Sequence, residues 1–226
     1  IKYASNSFLA MKIHYINEMA DFCEKTGADV FEVAKGMGLD SRIGNKFLNP
    51  GPGFGGSCFP KDTMALAYMA RSIGMNFDLI ETVIAGNANR KKQMANRILE
   101  SVKNIENAKI AVLGLAFKDG TDDCRESPAI EIIKHLIENG AKLRVFDPKA
   151  MVSAKQLLGI DVEYANDMYD TIKGVDCLAI LTEWNDFKEL DLAKVKQLMR
   201  TPKIIDLRHI LDKDEALKLG FEFSGI

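Results

Sequence analysis

Cysteine, histidine, proline and tryptophan are all scarce: four, three, six and one among 226 residues. The cysteines, Cys23, Cys58, Cys124 and Cys177, lie far apart with no C-x-x-C pair. With so few histidines, this argues against a zinc site, and no metal is expected. The cysteines are too sparse for a disulfide scaffold, which favours a reducing, cytoplasmic compartment. No apolar run approaches the roughly 20 residues needed to cross a bilayer, so no membrane partner is expected. Charge of neither sign dominates: 30 basic against 32 acidic residues give a formal net charge of -2. No global field would attract nucleic acid. There is no signal peptide and no G-x-G-x-x-G. There is also no initiator Met. The chain opens on Ile1-Lys2-Tyr3, straight into a helical pattern, and reads as a fragment. What is present is a 47% hydrophobic composition, enough for one large or two modest cores.

The first half reads as helix. Phe8, Leu9, Ile13, Ile16, Met19, Ala20 and Cys23 recur at three- and four-residue spacing, with Gly27 as the stop. Asp29 can cap a short helix ending at Gly38. From Asp40 to Pro60 all periodicity breaks. Gly44, Gly51, Gly53, Gly55 and Gly56 interleave with Ile43, Phe47, Leu48, Phe54 and Phe59, the pattern of an ordered functional loop. Pro60 then opens a helix with Leu66, Met69 and Ile73 on its face. A long helix follows, from about Phe77 to Val102, whose Asn87-Ala88-Asn89-Arg90 is polar for a core helix.

The second half changes period. Short apolar strands at 109–114, 143–146, 175–181 and 203–206 alternate with helices, the signature of a parallel doubly wound sheet. The strand–helix–strand start, with Asp147 after the second strand, resembles a dinucleotide-binding unit. Its first turn, Gly114-Leu115-Ala116-Phe117-Lys118, lacks the phosphate-binding glycines. The expected fold class is therefore an all-helical first domain with a long connecting helix, followed by a Rossmann-like α/β domain. The expected bounds are 1–105 and 106–226.

Cys58 is the sharpest chemical signal. A cysteine taken alone is more often a small buried hydrophobe. Gly55-Gly56-Ser57 before it and Pro60-Lys61-Asp62 after it reverse that expectation. The glycines let backbone approach a ligand, and a helix beginning just beyond adds positive potential that favours a thiolate. Asp62 lies one helical turn on. A thiolate can add to an aldehyde, and loss of hydride then leaves a thioester for water to hydrolyse. Lys2 and Asn6, four residues apart on one helix face, could hold a developing oxyanion, although such residues are usually solvated. Arg42, Asn45 and Lys46 suit phosphate or uracil contacts. Lys118 follows the first strand, where open α/β sheets place ligands. Arg125 precedes a helix start. The acids around Lys118 read as a solvated turn, and the other cysteines as packing.

Four stretches match a known family: Lys2 to Ala10, Arg42 to Leu48, Gly53 to Asp62, and Gly114 through Lys118 to Arg125-Glu126-Ser127-Pro128. In order and spacing the chain resembles the UDP-glucose/GDP-mannose dehydrogenase family over essentially its whole length. The resemblance implies NAD as cofactor, with its main site on an N-terminal Rossmann domain upstream of Ile1. It implies a homodimer formed through the helical domain and a sheet domain that binds the UDP portion. It makes Cys58 the nucleophile, Asp62 its partner in proton transfer, and Lys2 and Asn6 the pair at the C6 oxygen. Phe117, Lys118 and Arg208 become substrate contacts, and Arg125 the cofactor contact. Arg42 would enter a neighbouring subunit's site. Phe47, Phe54 and Gly55 would line the sugar and uracil pocket. Ser57-Cys58-Phe59-Pro60-Lys61 resembles the branch that oxidises UDP-glucose to UDP-glucuronate. The branches using GDP-mannose or UDP-N-acetylmannosamine are the alternatives. Without the NAD domain, the fragment itself would be a non-catalytic UDP-sugar-binding and dimerising module.

Overall fold

The structure is a computed structural model and describes residues 1–102 and 108–226. It divides into two compact units, Ile1–Lys91 with Ile226, and Lys92–Gly225. The boundary expected at 105/106 lies outside the described residues.

The first unit is helical: α1 (Lys2–Thr26), α2 (Val30–Gly38), α3 (Phe59–Ser72) and the beginning of α4 (Asp78–Ser101). Gly27 ends α1 in the left-handed conformation, φ 76°, and the Ala28 amide closes back on the Cys23 carbonyl. Asp29 caps α2, its carboxylate accepting from the Phe31 and Glu32 amides. Helices α1 and α3 pack against each other. The buried side chains of α3 are small, among them Thr63, Ala67 and Ala70, and α1 buries Ser7, Ala10 and Ala20 beside the larger Ile16 and Cys23. Small residues let helix axes approach closely. Of the larger residues expected on these faces, Ile16 is fully buried and Leu9, Ile13, Met19 and Leu66 are half-buried, whereas Phe8, Met69 and Ile73 are exposed.

The second unit is a six-stranded, all-parallel sheet. Its strands are β1 (Lys109–Leu113), β2 (Lys142–Phe146), β3 (Glu163–Tyr164), β4 (Cys177–Ile180), β5 (Lys203–Asp206) and β6 (Glu222–Gly225). Their spatial order is β3-β2-β1-β4-β5-β6. The order reverses beside β1, which pairs with β2 through Val112 and Val145 and with β4 through Val112 and Ala179. In such sheets ligands bind beyond the carboxyl ends of the strands at this reversal. The central strands are buried on both faces, so they read as unbroken apolar runs. The edge strands β3 and β6 are short and only partly buried, and they carry no such run.

Helix α5 (Pro128–Glu138) begins at Ser127, whose hydroxyl accepts from the Ala129 amide, and Pro128 sits at its first position. It buries Ile130, Ile132, Ile133 and Leu136. Each such side chain contributes about 1.5–3 kcal/mol on leaving water. The remaining connections carry α6 (Met151–Leu158), α7 (Met168–Ile172), α8 (Asn185–Lys188), α9 (Leu192–Leu198) and α10 (Lys213–Lys218). Among the described residues, no helix is long and apolar enough to cross a membrane.

Candidate active site

Cys58 occupies the N-cap position of α3 and is exposed. Its carbonyl accepts the Asp62 amide at 2.9 Å, so the first turn of α3 sets thiol and carboxylate on adjoining positions. The Asp62 side chain is fully buried, yet three polar side chains meet it. Asn6 donates its amide to Oδ2 at 2.6 Å, and Lys61 donates to Oδ1 at 2.7 Å. The Lys2 ammonium lies 3.8 Å from Oδ2. A hydrogen bond from Lys61, then one from Asn6, holds the Asp62 carboxyl below the usual carboxylate range. Asp62 in turn raises the pKa of Lys61. Four expected residues, Lys2, Asn6, Cys58 and Asp62, thus belong to one constellation on α1 and α3. Lys61 completes it.

The glycine-rich loop leads into this site. Phe54 is buried, and its ring meets Phe59 edge-on at 6.3 Å between centroids. Phe47 also meets Phe59, at 5.9 Å between centroids, and has a left-handed backbone, φ 64°. Gly55 is half-buried. Arg42 and Asn45 are exposed. The Arg42 guanidinium is paired with Asp40, Nη2 to Oδ2 at 2.6 Å. Lys12 anchors this stretch by donating to the Ile43 carbonyl at 2.8 Å.

Three buried polar residues had not been expected at the site, and all serve the loop. Asn17 accepts the Gly51 amide at 2.8 Å, and Arg90 donates to the Gly51 carbonyl at 3.1 Å. Asn87 accepts from the Phe54 amide at 2.8 Å and donates to the Phe54 carbonyl at 3.0 Å. The unusual polarity of 87–90 was the sequence signal for two of them.

In the second unit the turn after β1 carries Phe117 and Lys118. The Phe117 amide donates to the Asp123 carbonyl at 3.1 Å, and the exposed Lys118 ammonium lies 5.6 Å from the Phe117 ring centroid. Arg125 is exposed, and its Nη2 meets Asp123 Oδ2 at 2.7 Å. That pairing lowers the Asp123 pKa. Arg208 follows β5, with Nε 2.8 Å from the Leu181 carbonyl and 3.1 Å from the Glu183 carboxylate. Desolvation lowers its pKa.

The acid that would read a dinucleotide ribose is otherwise engaged. Asp147 is fully buried. It accepts from the amides of Leu115, Ala116, Lys149 and Ala150 and from the Trp184 indole. Beside it, a Cβ on Gly114 would stand 2.6 Å from the Thr182 backbone nitrogen. The first turn is closed on the protein itself, so the sheet unit's own residues do not fit the adenosine half of NAD in the usual way. Among the described residues, no group of three or more His, Cys, Asp or Glu could hold a metal ion.

Residues 1–89 match the central domain of the UDP-glucose/GDP-mannose dehydrogenase family, and residues 111–213 match its UDP binding domain. A helical unit ahead of a nucleotide-binding parallel sheet is the class this architecture defines. The chain belongs to the UDP-glucose/GDP-mannose dehydrogenase family, of which it carries the central and UDP binding domains. It is 50% identical to the UDP-glucose 6-dehydrogenase of Rhizobium meliloti, over 100% of this chain and 52% of that protein. It is 47% identical to the UDP-glucose 6-dehydrogenase TuaD of Bacillus subtilis, over 100% of this chain and 49% of that protein. A UDP-glucose dehydrogenase from Pyrobaculum islandicum superposes with a TM-score of 0.89 at 35% identity, over 99% of this chain and 49% of that one. The chain spans about half the length of the curated relatives it matches.

Proposed function

We propose that this chain supplies the nucleophile and the nucleotide-sugar site for the NAD-dependent, four-electron oxidation of UDP-glucose to UDP-glucuronate. One observation carries the reading. An exposed cysteine caps a helix whose next turn buries an ionised carboxylate, itself tied to Lys2, Asn6 and Lys61. That set suits addition of a thiolate to an aldehyde. A first loss of hydride from C6 of the sugar, with the hydroxyl proton passing to water, turns the C6 alcohol into the aldehyde. Cys58 then attacks C6, forming a C–S bond and pushing the carbonyl electrons onto oxygen. The Lys2 ammonium and the Asn6 amide, which share a helix face, stabilise that oxygen. Loss of hydride from C6 leaves a thioester. Water then adds to its carbonyl, and the C–S bond breaks to return the thiol and release the carboxylate. Asp62 is a weak base because its cationic neighbours hold it ionised. Its part is to keep Lys2 and Asn6 in place and to orient water.

Bound NAD would supply the hydride acceptor for both oxidations. The sheet unit does not build its ribose site, and Arg125 is the one cofactor contact assigned to these residues. Lys118, Phe117 and Arg208 are assigned to the UDP portion, at the carboxyl ends of the strands. Phe47, Phe54 and Gly55 line the sugar end. Arg42 is assigned to a neighbouring subunit's site in a homodimer, and Asn45 to the substrate. The exposed Phe8, Tyr15 and Phe22, seven residues apart along α1, support such a dimer.

The test is NADH production by the intact protein from UDP-glucose, GDP-mannose and UDP-N-acetylmannosamine in turn. Activity is expected with UDP-glucose and to vanish in Cys58→Ala, with UDP-glucose binding nearly unchanged. Faster turnover of another nucleotide sugar would reassign the substrate. Full activity of Cys58→Ala would end the covalent mechanism.

A further inference from the structure

The loop that presents Cys58 is held by side chains that read its backbone. Buried backbone groups must find partners. At Gly51 and Phe54 the partners come from Asn17, Arg90 and Asn87. All three are nearly inaccessible, at 1%, 3% and 6% exposure. Asn87 makes the tightest match, because its side-chain amide pairs with the Phe54 backbone as one peptide group pairs with another. Gly53 is fitted to the same contact. Its φ is +124°, and a Cβ there would stand 2.9 Å from Asn87 Oδ1. Beyond Phe54 the chain of contacts is short: its ring meets Phe59, the residue that follows Cys58.

We propose that Asn87 is a positioning residue for Cys58, fixing the Phe54 backbone so that the 55–58 turn delivers the thiol to its substrate. The proposal rests on the nucleophile reading given above and deepens it. Apolar packing between α4 and the loop would hold the two together equally well, but it would leave their register free to slide. A two-pronged amide fixes both position and orientation. A buried polar pairing of this kind specifies one arrangement. A shift of about 1 Å in a reacting atom can slow chemistry about a hundredfold.

The test is Asn87→Asp in the intact protein. This variant keeps the shape and the acceptor for the Phe54 amide, but sets an oxygen against the Phe54 carbonyl. Two readouts are taken well below the melting temperature: steady-state kinetics with UDP-glucose, and the rate at which iodoacetamide alkylates Cys58, which needs no substrate. The expected result is a kcat lower by about ten- to a hundredfold with KM within about threefold, and an altered alkylation rate. A lowered melting temperature with kcat and alkylation rate within about twofold of wild type would overturn the proposal and leave Asn87 a structural residue. Should Asn87→Asp not fold, Gly53→Ala makes the same contact fail from the other side. It should give the same signature, and normal kinetics in a folded Gly53→Ala would equally overturn the proposal. Cys58→Ser is assayed in parallel. Undiminished NADH production by Cys58→Ser removes the nucleophile reading itself. A stalled Cys58→Ser beside a normal Asn87→Asp removes only the positioning role.

Discussion

Replacing Asp147 by Asn should loosen the Lys149–Ala150 turn that leads into α6 and destabilise the sheet unit with it. The buried carboxylate divides its work. Oδ2 accepts from Leu115 N at 2.7 Å, Ala116 N at 3.0 Å and Trp184 Nε1 at 3.0 Å. Oδ1 accepts from Lys149 N at 2.9 Å and Ala150 N at 2.8 Å. An asparagine keeps one oxygen and turns an NH₂ toward the other group of donors. Even in the better orientation, with the NH₂ toward Lys149 and Ala150, the buried Ala150 amide and the partly buried Lys149 amide lose their acceptor. Each orphaned amide costs about 1–3 kcal/mol, for a total of about 2–6 kcal/mol. That is a large fraction of the roughly 5–15 kcal/mol that holds a domain folded. With a urea m-value of about 2 kcal/mol/M, the midpoint should fall by about 1–3 M. The chain's one tryptophan, Trp184, lies in this unit, so its fluorescence reports the unfolding directly. Trp184→Phe is the control, followed by circular dichroism. It removes one donor, leaves the carboxylate four, and should lose only about 1 kcal/mol of hydrogen bonding. A midpoint for Asp147→Asn within about 0.25 M of wild type would refute the reasoning, as would a larger loss in the control.

Gly114→Ala should also be damaging. It demands φ +97° and places Cβ 2.5 Å from the Thr182 Cβ. Left-handed strain of about 1–2 kcal/mol and forced repacking of about 1–3 kcal/mol predict a loss of about 2–5 kcal/mol, read by urea unfolding. Iodoacetamide at about pH 8, followed by peptide mass spectrometry, should label Cys58 alone. Burial pushes Cys124 and Cys177 up to about 12, and Cys23 is only 2% exposed. Asp62 should titrate below the ordinary 3.8 in a carbon-detected NMR titration. Its folded-state pKa is depressed, so the stability it contributes is complete above 3.8 and falls away as pH drops through the lower folded value. A midpoint above 3.8 would contradict the Lys61 and Asn6 contacts.

Much of this was legible in the sequence, for identifiable physical reasons. Strands β1 and β4 are buried on both faces and announce themselves as apolar runs, and β2 and β5 carry shorter apolar stretches. Gly27, Asp29 and Ser127 mark helix ends through geometry that few other residues supply. The Cys58 stretch stood out because glycine, proline and charge crowd a single turn. The edge strands at 163–164 and 222–225 escaped because they are half-solvated and too short to show a period. The exposure of Phe8, Met69 and Ile73 escaped because spacing predicts a stripe without saying which of its members, Ile16 and the alanines or these three, will be covered. Asn17 escaped because nothing in its local sequence says that its partner is Gly51, 34 residues away. Asp147 is the most instructive position. Its placement after the second strand resembled a ribose-binding acid, and only three-dimensional closure shows its oxygens taken up by the protein's own donors.

The central claim is that Cys58 carries the sugar covalently. The most direct measurement mixes the intact protein with UDP-glucose and NAD, quenches in acid within a turnover, and maps the adduct by peptide mass spectrometry. A UDP-glucuronyl thioester on the peptide containing Cys58, absent without NAD, is the predicted result. Steady formation of UDP-glucuronate with Cys58 unmodified at every quench time, and undiminished in Cys58→Ala, would contradict it.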